Sequence, residues 1–218
     1  MSNPDSFIEE VTEEVRRDRL FNLFRKYGWI GAVVVVGIVG GAAWNEWSKS
    51  QAATRAQGFG DALVDALDHG TPDERRAALA AVPVDGQQAA ILNLILASDP
   101  AEDKAATLAA LDVVAADATL PPAYRDLATL RRVLVAGADM ALADRRSALQ
   151  GIAGPGRPYR ALAEEHLAYL LVEEGKTDEA IAAMLVLVQD QEASGALRAR
   201  VSQMVTALGG TLPEASAG

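Results

Sequence analysis

A run of 19 residues without a charge, Tyr27 to Asn45 (YGWIGAVVVVGIVGGAAWN), limits the folds open to this chain more than any other feature. As an α-helix it reaches roughly 28 Å at about 1.5 Å per residue, against a bilayer hydrocarbon core of about 30 Å. A buried strand competes, because Val33 to Val36 are β-branched and Gly37 follows. Strands usually stop after about 4–8 residues, whereas this run continues through Ile38 and Val39 to Ala43. Tyr27 and Trp29 stand at one end and Trp44 and Trp47 at the other, which accounts for all three tryptophans. Amphipathic rings of this kind favour the headgroup level of a membrane. A cleaved signal is the second competitor, since Gly41-Ala42-Ala43 offers small residues at a cleavage spacing. However, the 26 residues ahead of the run hold Asp5, Glu9, Glu10, Glu13, Glu14 and Asp18, and signal n-regions are short and basic. The sequence predicts an uncleaved anchor over residues 27–47.

The flanking cations set an orientation. Arg16, Arg17, Arg19, Arg25 and Lys26 precede the run, while only Lys49 and Arg55 follow it closely. Positive flanks stay cytoplasmic. Residues 1–26 are therefore expected inside, as an amphipathic segment with a Ser6–Glu9 capping-box spacing and an apolar face of Ile8, Val11 and Val15. Residues 48–210 are expected across the membrane, which in a bacterium is the periplasm, with 211–218 as a disordered tail. Residues 50–218 carry 14 Lys/Arg against 23 Asp/Glu. That balance disfavours nucleic acid, whose phosphates need clustered cations. The chain has no cysteine, which removes disulfides, thiolate metal sites and a cysteine nucleophile. Its two histidines, His69 and His166, are far apart in sequence. No cofactor, metal or small-molecule substrate is expected.

Beyond residue 48 the pattern is helical throughout, with apolar positions three and four apart and almost no strand signal. The anchor helix is expected to continue outward, with Gly58 and Gly60 as a bend, to a stop at His69-Gly70-Thr71-Pro72. Turns recur at Pro100, Gly137 and Gly175, and Tyr124-Arg125-Asp126-Leu127-Ala128 is echoed as Tyr159-Arg160-Ala161-Leu162-Ala163. A period near 35 residues with two helices per unit describes a solenoid of helix hairpins, each too thin to bury its own apolar faces. The predicted fold is all-α: one N-terminal transmembrane helix followed by an α-solenoid.

The stretch ALAEEHLAYLLVEEGKTDEAIAAMLVL resembles a tetratricopeptide repeat. Leu167 and Ala168 match its first-helix leucine and small residue, Gly175 its turn, and Ala180 the small residue where the two helices cross. Glu164 departs from the pattern, standing where an aromatic is usual, and no proline closes the unit. The whole layout resembles the ancillary Sec translocon subunits of bacterial inner membranes. Those proteins have a charged cytoplasmic lead, one anchor ending in a tryptophan pair like Trp44 and Trp47, and a degenerate repeat domain in the periplasm. The resemblance implies protein partners: translocon subunits, periplasmic chaperones and exported chains.

Motifs for chemistry do not complete themselves. Gly175-Lys176-Thr177 lacks the earlier glycine of a phosphate loop, because position 170 is Leu170. Glu164-Glu165-His166 and Glu173-Glu174 read as a solvated helix face, since neighbours on a helix point about 100° apart. No G-x-S-x-G or H-E-x-x-H is present, and an enzyme is not expected. Gly37 and Gly41 have the spacing of a helix–helix contact in lipid. Tyr124, Arg125, Tyr159 and Arg160 recur at equivalent places and are candidates for a partner groove, although stacking between repeats would account for them equally. The sequence points to a membrane-tethered scaffold at an export site, and leaves open a scaffold for another envelope complex such as division or respiratory assembly.

Overall fold

The computed structural model of the chain describes residues 4–84, 86–98 and 103–213, and for residues 4–24 the backbone alone. Every regular element among them is helical: α1 (Pro4–Leu67), α2 (Pro72–Ala80), α3 (Gly86–Leu96), α4 (Lys104–Ala116), α5 (Pro122–Ala136), α6 (Leu142–Ile152), α7 (Arg160–Glu173), α8 (Thr177–Gln189) and α9 (Gly195–Ala207). A single 3-10 turn, Gly137–Asp139, joins α5 to α6. The all-α expectation holds. The chain divides into two compact units, Met1–Ala62 and Leu63–Gly218.

The first unit consists of most of α1. The helix starts at Pro4, two residues ahead of Ser6, so Ser6 is not its cap; any pairing of Ser6 with Glu9 lies outside the described side chains. The helix also passes through Gly58 and Gly60 without interruption, where a bend was expected. Within its apolar run the side chains face outward: Trp29 is 65% exposed, Val36 70% and Trp44 68%. Large apolar residues on every side of a helix make no sense in water, where contiguous exposed patches of this kind are rare. Arg25–Leu67 contains a stretch long and apolar enough to cross a membrane, and none of that stretch is buried against the rest of the chain. Trp44 and Trp47 lie one turn apart with ring centroids at 5.2 Å.

In the second unit, local chemistry fixes the helix ends. Thr71 caps α2 through a complete capping box: the Glu74 N–H donates to Thr71 Oγ1, the Thr71 N–H donates to Glu74 Oε2, and Pro72 follows at the first helical position. Asp103 caps α4 by accepting from the Ala106 N–H at 2.9 Å. Ser194 caps α9 by accepting from the Leu197 N–H. At the end of α7, Gly175 takes φ +75°, a conformation open to glycine without steric cost. There the Lys176 N–H reaches the Leu171 carbonyl and the Gly175 N–H the Val172 carbonyl, a closed Schellman turn. Gly209 ends α9 by the same turn, with the Gly209 N–H on the Thr206 carbonyl and the Gly210 N–H on the Val205 carbonyl, whereas Gly137 caps α5 with positive φ and a single bond to the Val133 carbonyl. Pro100, the other turn read from sequence, lies outside the described residues, as do residues 214–218 of the expected tail.

Packing explains why no single hairpin stands alone. The core is three layers rather than one. Ala90, Ala97, Leu111, Val114 and Ala128 join α3, α4 and α5. Leu130, Val133, Leu149, Ile152, Ala163 and Leu170 join α5, α6 and α7. Ala168, Met184, Leu187, Leu197, Val201 and Val205 join α7, α8 and α9. α5 and α7 therefore each serve two layers with opposite faces. Their contact points are alanines, Ala128, Ala163 and Ala168, all fully buried. Small residues at a crossing allow the roughly 8–10 Å interaxial distances of ridge-into-groove packing. The unit is an array of helix hairpins in which neighbours supply each other's core.

Candidate functional site

Among the described residues no group of three or more His, Cys, Asp and Glu could hold a metal ion. The candidates are surfaces and clefts of the helix array, and their geometry starts from the echoed Tyr-Arg pairs. Tyr124, in the first turn of α5, packs against the α3–α4–α5 layer. Tyr159, immediately ahead of α7, packs against the α5–α6–α7 layer. Both tyrosines thus stand at the start of a helix, Tyr124 three residues into α5 and Tyr159 at the N-cap of α7, and they join different layers. Arg125 faces the carboxylates of Asp117 and Asp126. Arg160 is more heavily engaged: it donates to Glu164 at 2.9 Å, Asp190 at 2.5 Å and Glu192 at 2.8 Å. Those hydrogen bonds, Asp190 first, raise its already high pKa further. The carboxylates of Asp190 and Glu192 sit in the α8–α9 connection, so Arg160 ties the start of α7 to the next hairpin.

Ala168 and Ala180 are fully buried, and Leu167 is partly buried against the α5–α6–α7 layer. Gly175 makes the α7–α8 turn. Gly37 and Gly41 lie on the exposed surface of α1, where an added Cβ would meet nothing within 4 Å.

Glu165 corrects the solvated-face reading of Glu164-Glu165-His166. Its side chain is 1% exposed. It accepts from Arg200 on α9 in bidentate fashion, at 2.6 Å and 2.5 Å, and from the Tyr169 hydroxyl at 2.5 Å. Burial pushes its pKa up, but the hydrogen bonds from Arg200 and Tyr169 and the Arg200 charge together outweigh burial and hold it below the usual value. The Tyr169 hydroxyl is pushed up to about 12, by burial first and then by its bond to Glu165. His166, half-buried and edge-on to the Tyr169 ring at 5.5 Å, has its pKa lowered by burial. Glu173 likewise takes both nitrogens of Arg145, at 2.6 Å and 2.8 Å. Asp126, also 1% exposed, is held by Arg157 through Oδ1, while its Oδ2 has no hydrogen-bond partner.

These pairs share a pattern that the sequence reading missed. Arg76–Asp103, Lys104–Asp139, Arg157–Asp126 and Arg200–Glu165 each link residues 27 to 35 apart, close to one repeat. Opposite charges about one period apart were the available signal.

Beside a cleft of about 140 Å³ lined by Leu67, Pro72, Leu79 and Ile95 among others, two clefts lie between the later hairpins. The larger, about 270 Å³, is lined by Pro158, Tyr159, Leu162, Glu192, Leu197 and Arg200 among others. The smaller, about 160 Å³, lies between α5, α6 and α7 beside Leu134, His166 and Tyr169. Neither brings together a nucleophile, a base and an oxyanion donor of the kind catalysis needs.

Comparison with protein families decides what these hairpins are: the model of the tetratricopeptide repeat-like domain matches residues 22–209. The chain belongs to that family. Comparison with curated proteins gives no match, and comparison with solved structures gives none. The matched span of the tetratricopeptide repeat-like domain begins ahead of Tyr27, so it takes in the apolar stretch of α1 together with the array. Domains of this family are protein-interaction modules, and the charged rungs and small-residue crossings described above build the rigid frame such a module needs.

Proposed function

We propose that this protein is a membrane-tethered interaction scaffold: an ancillary subunit of the bacterial Sec translocon that holds its repeat array in the periplasm, near the exit of exported chains and their chaperones. The observation that carries the reading is the pairing of a fully exposed apolar helix with a repeat array inside one family match. Residues 1–26 form the cytoplasmic lead, 27–47 the span, 48–210 the periplasmic domain and 211–218 the tail. The orientation rests on the five cations ahead of the span. Tethering raises the local concentration of the array for anything leaving the membrane, so weak contacts suffice for capture. Gly37 and Gly41 offer a close-contact face for another membrane helix. Tyr159 lines the larger cleft and Arg160 bonds to its lining residue Glu192, and both serve binding through it, while Tyr124 and Arg125 lie in the first turn of α5 one hairpin earlier.

The test is site-specific photocrosslinking in the full-length protein, with a photoreactive phenylalanine analogue replacing Tyr124 or Tyr159. Translocon subunits, periplasmic chaperones or exported chains are the expected adducts. Adducts confined to division or respiratory subunits would replace the export reading with another envelope complex.

A further inference from the structure

Apart from Arg125, which faces the carboxylates of Asp117 and Asp126, each lysine and arginine from residue 63 to residue 213 makes a hydrogen bond or ion pair within the chain. Most pair with carboxylates, as Arg132 does with Asp112 and Lys176 with Glu174. Others are spent on carbonyls: Arg75 on His69 and Gly70, Arg131 on Leu94 and Ala97, Arg198 on Asp190 and Ala193. The anions are not balanced in return. Asp65, Asp68, Asp73, Asp144, Asp178 and Glu179 pair with no cation among the described residues. The array therefore offers a partner free carboxylates and hardly any free cation.

The 270 Å³ cleft concentrates this asymmetry beside apolar surface. Ala161, Leu162 and Leu197 line it, with Pro158 and the Tyr159 ring alongside. Its two nearby guanidiniums, Arg160 and Arg200, are held by Glu164, Asp190, Glu192 and Glu165. Glu192 stands at the mouth with its side chain 76% exposed, bonding Arg160 through Oε2 only. The volume of about 270 Å³, at the small end of ligand sites, suits a single protein side chain. We infer that this cleft docks an apolar or aromatic side chain from a polypeptide segment whose neighbouring residues are lysine or arginine. The inference rests on the interaction-scaffold reading and adds the chemistry of the partner. The apolar side chain fills the cleft, and the flanking cations meet Glu192 and the unbalanced field of the array, which steers them in at low salt.

The test uses the full-length protein in nanodiscs of zwitterionic lipid and three fluorescent peptides: a central phenylalanine flanked by lysines, the same residue flanked by glutamates, and a central glycine flanked by lysines. The first should bind at least about tenfold tighter than either of the others, each tenfold being about 1.4 kcal/mol, and should weaken as salt screens the charges. Ala161→Trp, which fills the cleft, should lower its affinity about tenfold. Glu192→Gln, at an exposed position, should narrow the lysine preference without changing the melting temperature, so a misfolded Trp variant does not spare the idea. Equal binding of lysine- and glutamate-flanked peptides would overturn the inference, as would equal binding of the phenylalanine and glycine peptides. If no peptide binds while a crosslinker at Tyr124 still captures exported chains, the cleft is wrong and the scaffold stands. If both fail, both fall.

Discussion

α1 and α7 are both rich in apolar residues, yet they handle them in opposite ways. The apolar run of α1 exposes Val33 to Val36, Ile38 and Val39 all around the helix. α7 buries Ala163, Ala168 and Leu170 completely or nearly so and shares them between two core layers. The difference lies in what interrupts the apolar residues. In α1 between Tyr27 and Asn45 nothing charged does, so no face is marked for water. In α7, Arg160, Glu164, Glu165, His166 and Glu173 alternate with the apolar positions, and several of them bond to the helices and connections on either side, Glu173 to Arg145 on α6, Glu165 to Arg200 on α9 and Arg160 to Asp190. A helix with no polar face needs a solvent that is itself apolar. A helix with two apolar faces and polar seams needs helices on both sides.

Substitutions that exploit this contrast should separate the two regions sharply. The largest effect belongs to Val35→Arg. A charge at the middle of a membrane span costs about 2.5–3.5 kcal/mol on insertion scales, so the variant should appear in the soluble fraction after alkaline extraction, while the array keeps its melting transition. Release of the unsubstituted protein by the same alkaline extraction would mean that α1 is not a span. Next comes Ala168→Trp. Overpacking a tight crossing typically costs about 1–3 kcal/mol, and Ala168 is fully buried. The array should melt at a clearly lower temperature. Ala43→Trp, on the exposed surface of α1, should leave that melt unchanged. Equal melting of the two variants would remove Ala168 from the crossing.

A third experiment turns on the two buried carboxylates, which share the same 1% exposure and differ in their donors. Glu165 accepts from Tyr169 and twice from Arg200, which holds its pKa below the ordinary value. Its stabilisation is present above the ordinary carboxylate value and is lost as pH falls through the lowered one. Asp126 has burial as its leading influence, only partly offset by Arg157 and Arg125, and its pKa is raised. It binds a proton more readily folded than unfolded, so its contribution to stability improves as pH falls into the window below the raised value. Glu165→Gln should therefore flatten the loss of melting temperature with acid, and Asp126→Asn should steepen it. Shifts of the same sign in the two variants would contradict the donor-count explanation. The smallest effect is expected at Arg132→Ala. Its pair with Asp112 is solvent-exposed on both sides, and such pairs contribute about 0–1 kcal/mol, so the melting temperature should scarcely move.

The same contrast explains what the sequence disclosed. The apolar run of α1 needs only a count along the chain, and so did the hairpin of α7 and α8, whose turn at Gly175 and small residues at Ala168 and Ala180 carry local signals. Glu165 was misread because its partner Arg200 lies 35 residues on, and nothing within one helix announces it. The ion pairs of Arg160 were equally invisible: the carboxylates of Asp190 and Glu192 that engage it are supplied by the next hairpin. Gly58 and Gly60 were expected to bend α1. Glycine lowers helix propensity by only about 1 kcal/mol, too little to break a helix whose neighbours all favour it. The clefts depend on how side chains from three helices meet, which no linear pattern encodes.

The central claim is that α1 crosses a membrane with the array on the far side from the N-terminus. Since the chain lacks cysteine, single-cysteine labelling tests this directly. Ser6→Cys and Gln191→Cys variants of the full-length protein would be exposed to a membrane-impermeant maleimide in intact spheroplasts and again after lysis. The account predicts that Gln191→Cys is labelled in intact spheroplasts and Ser6→Cys only after lysis. Labelling of Ser6→Cys alone before lysis would reverse the orientation, and protection of both would place the array inside the cell.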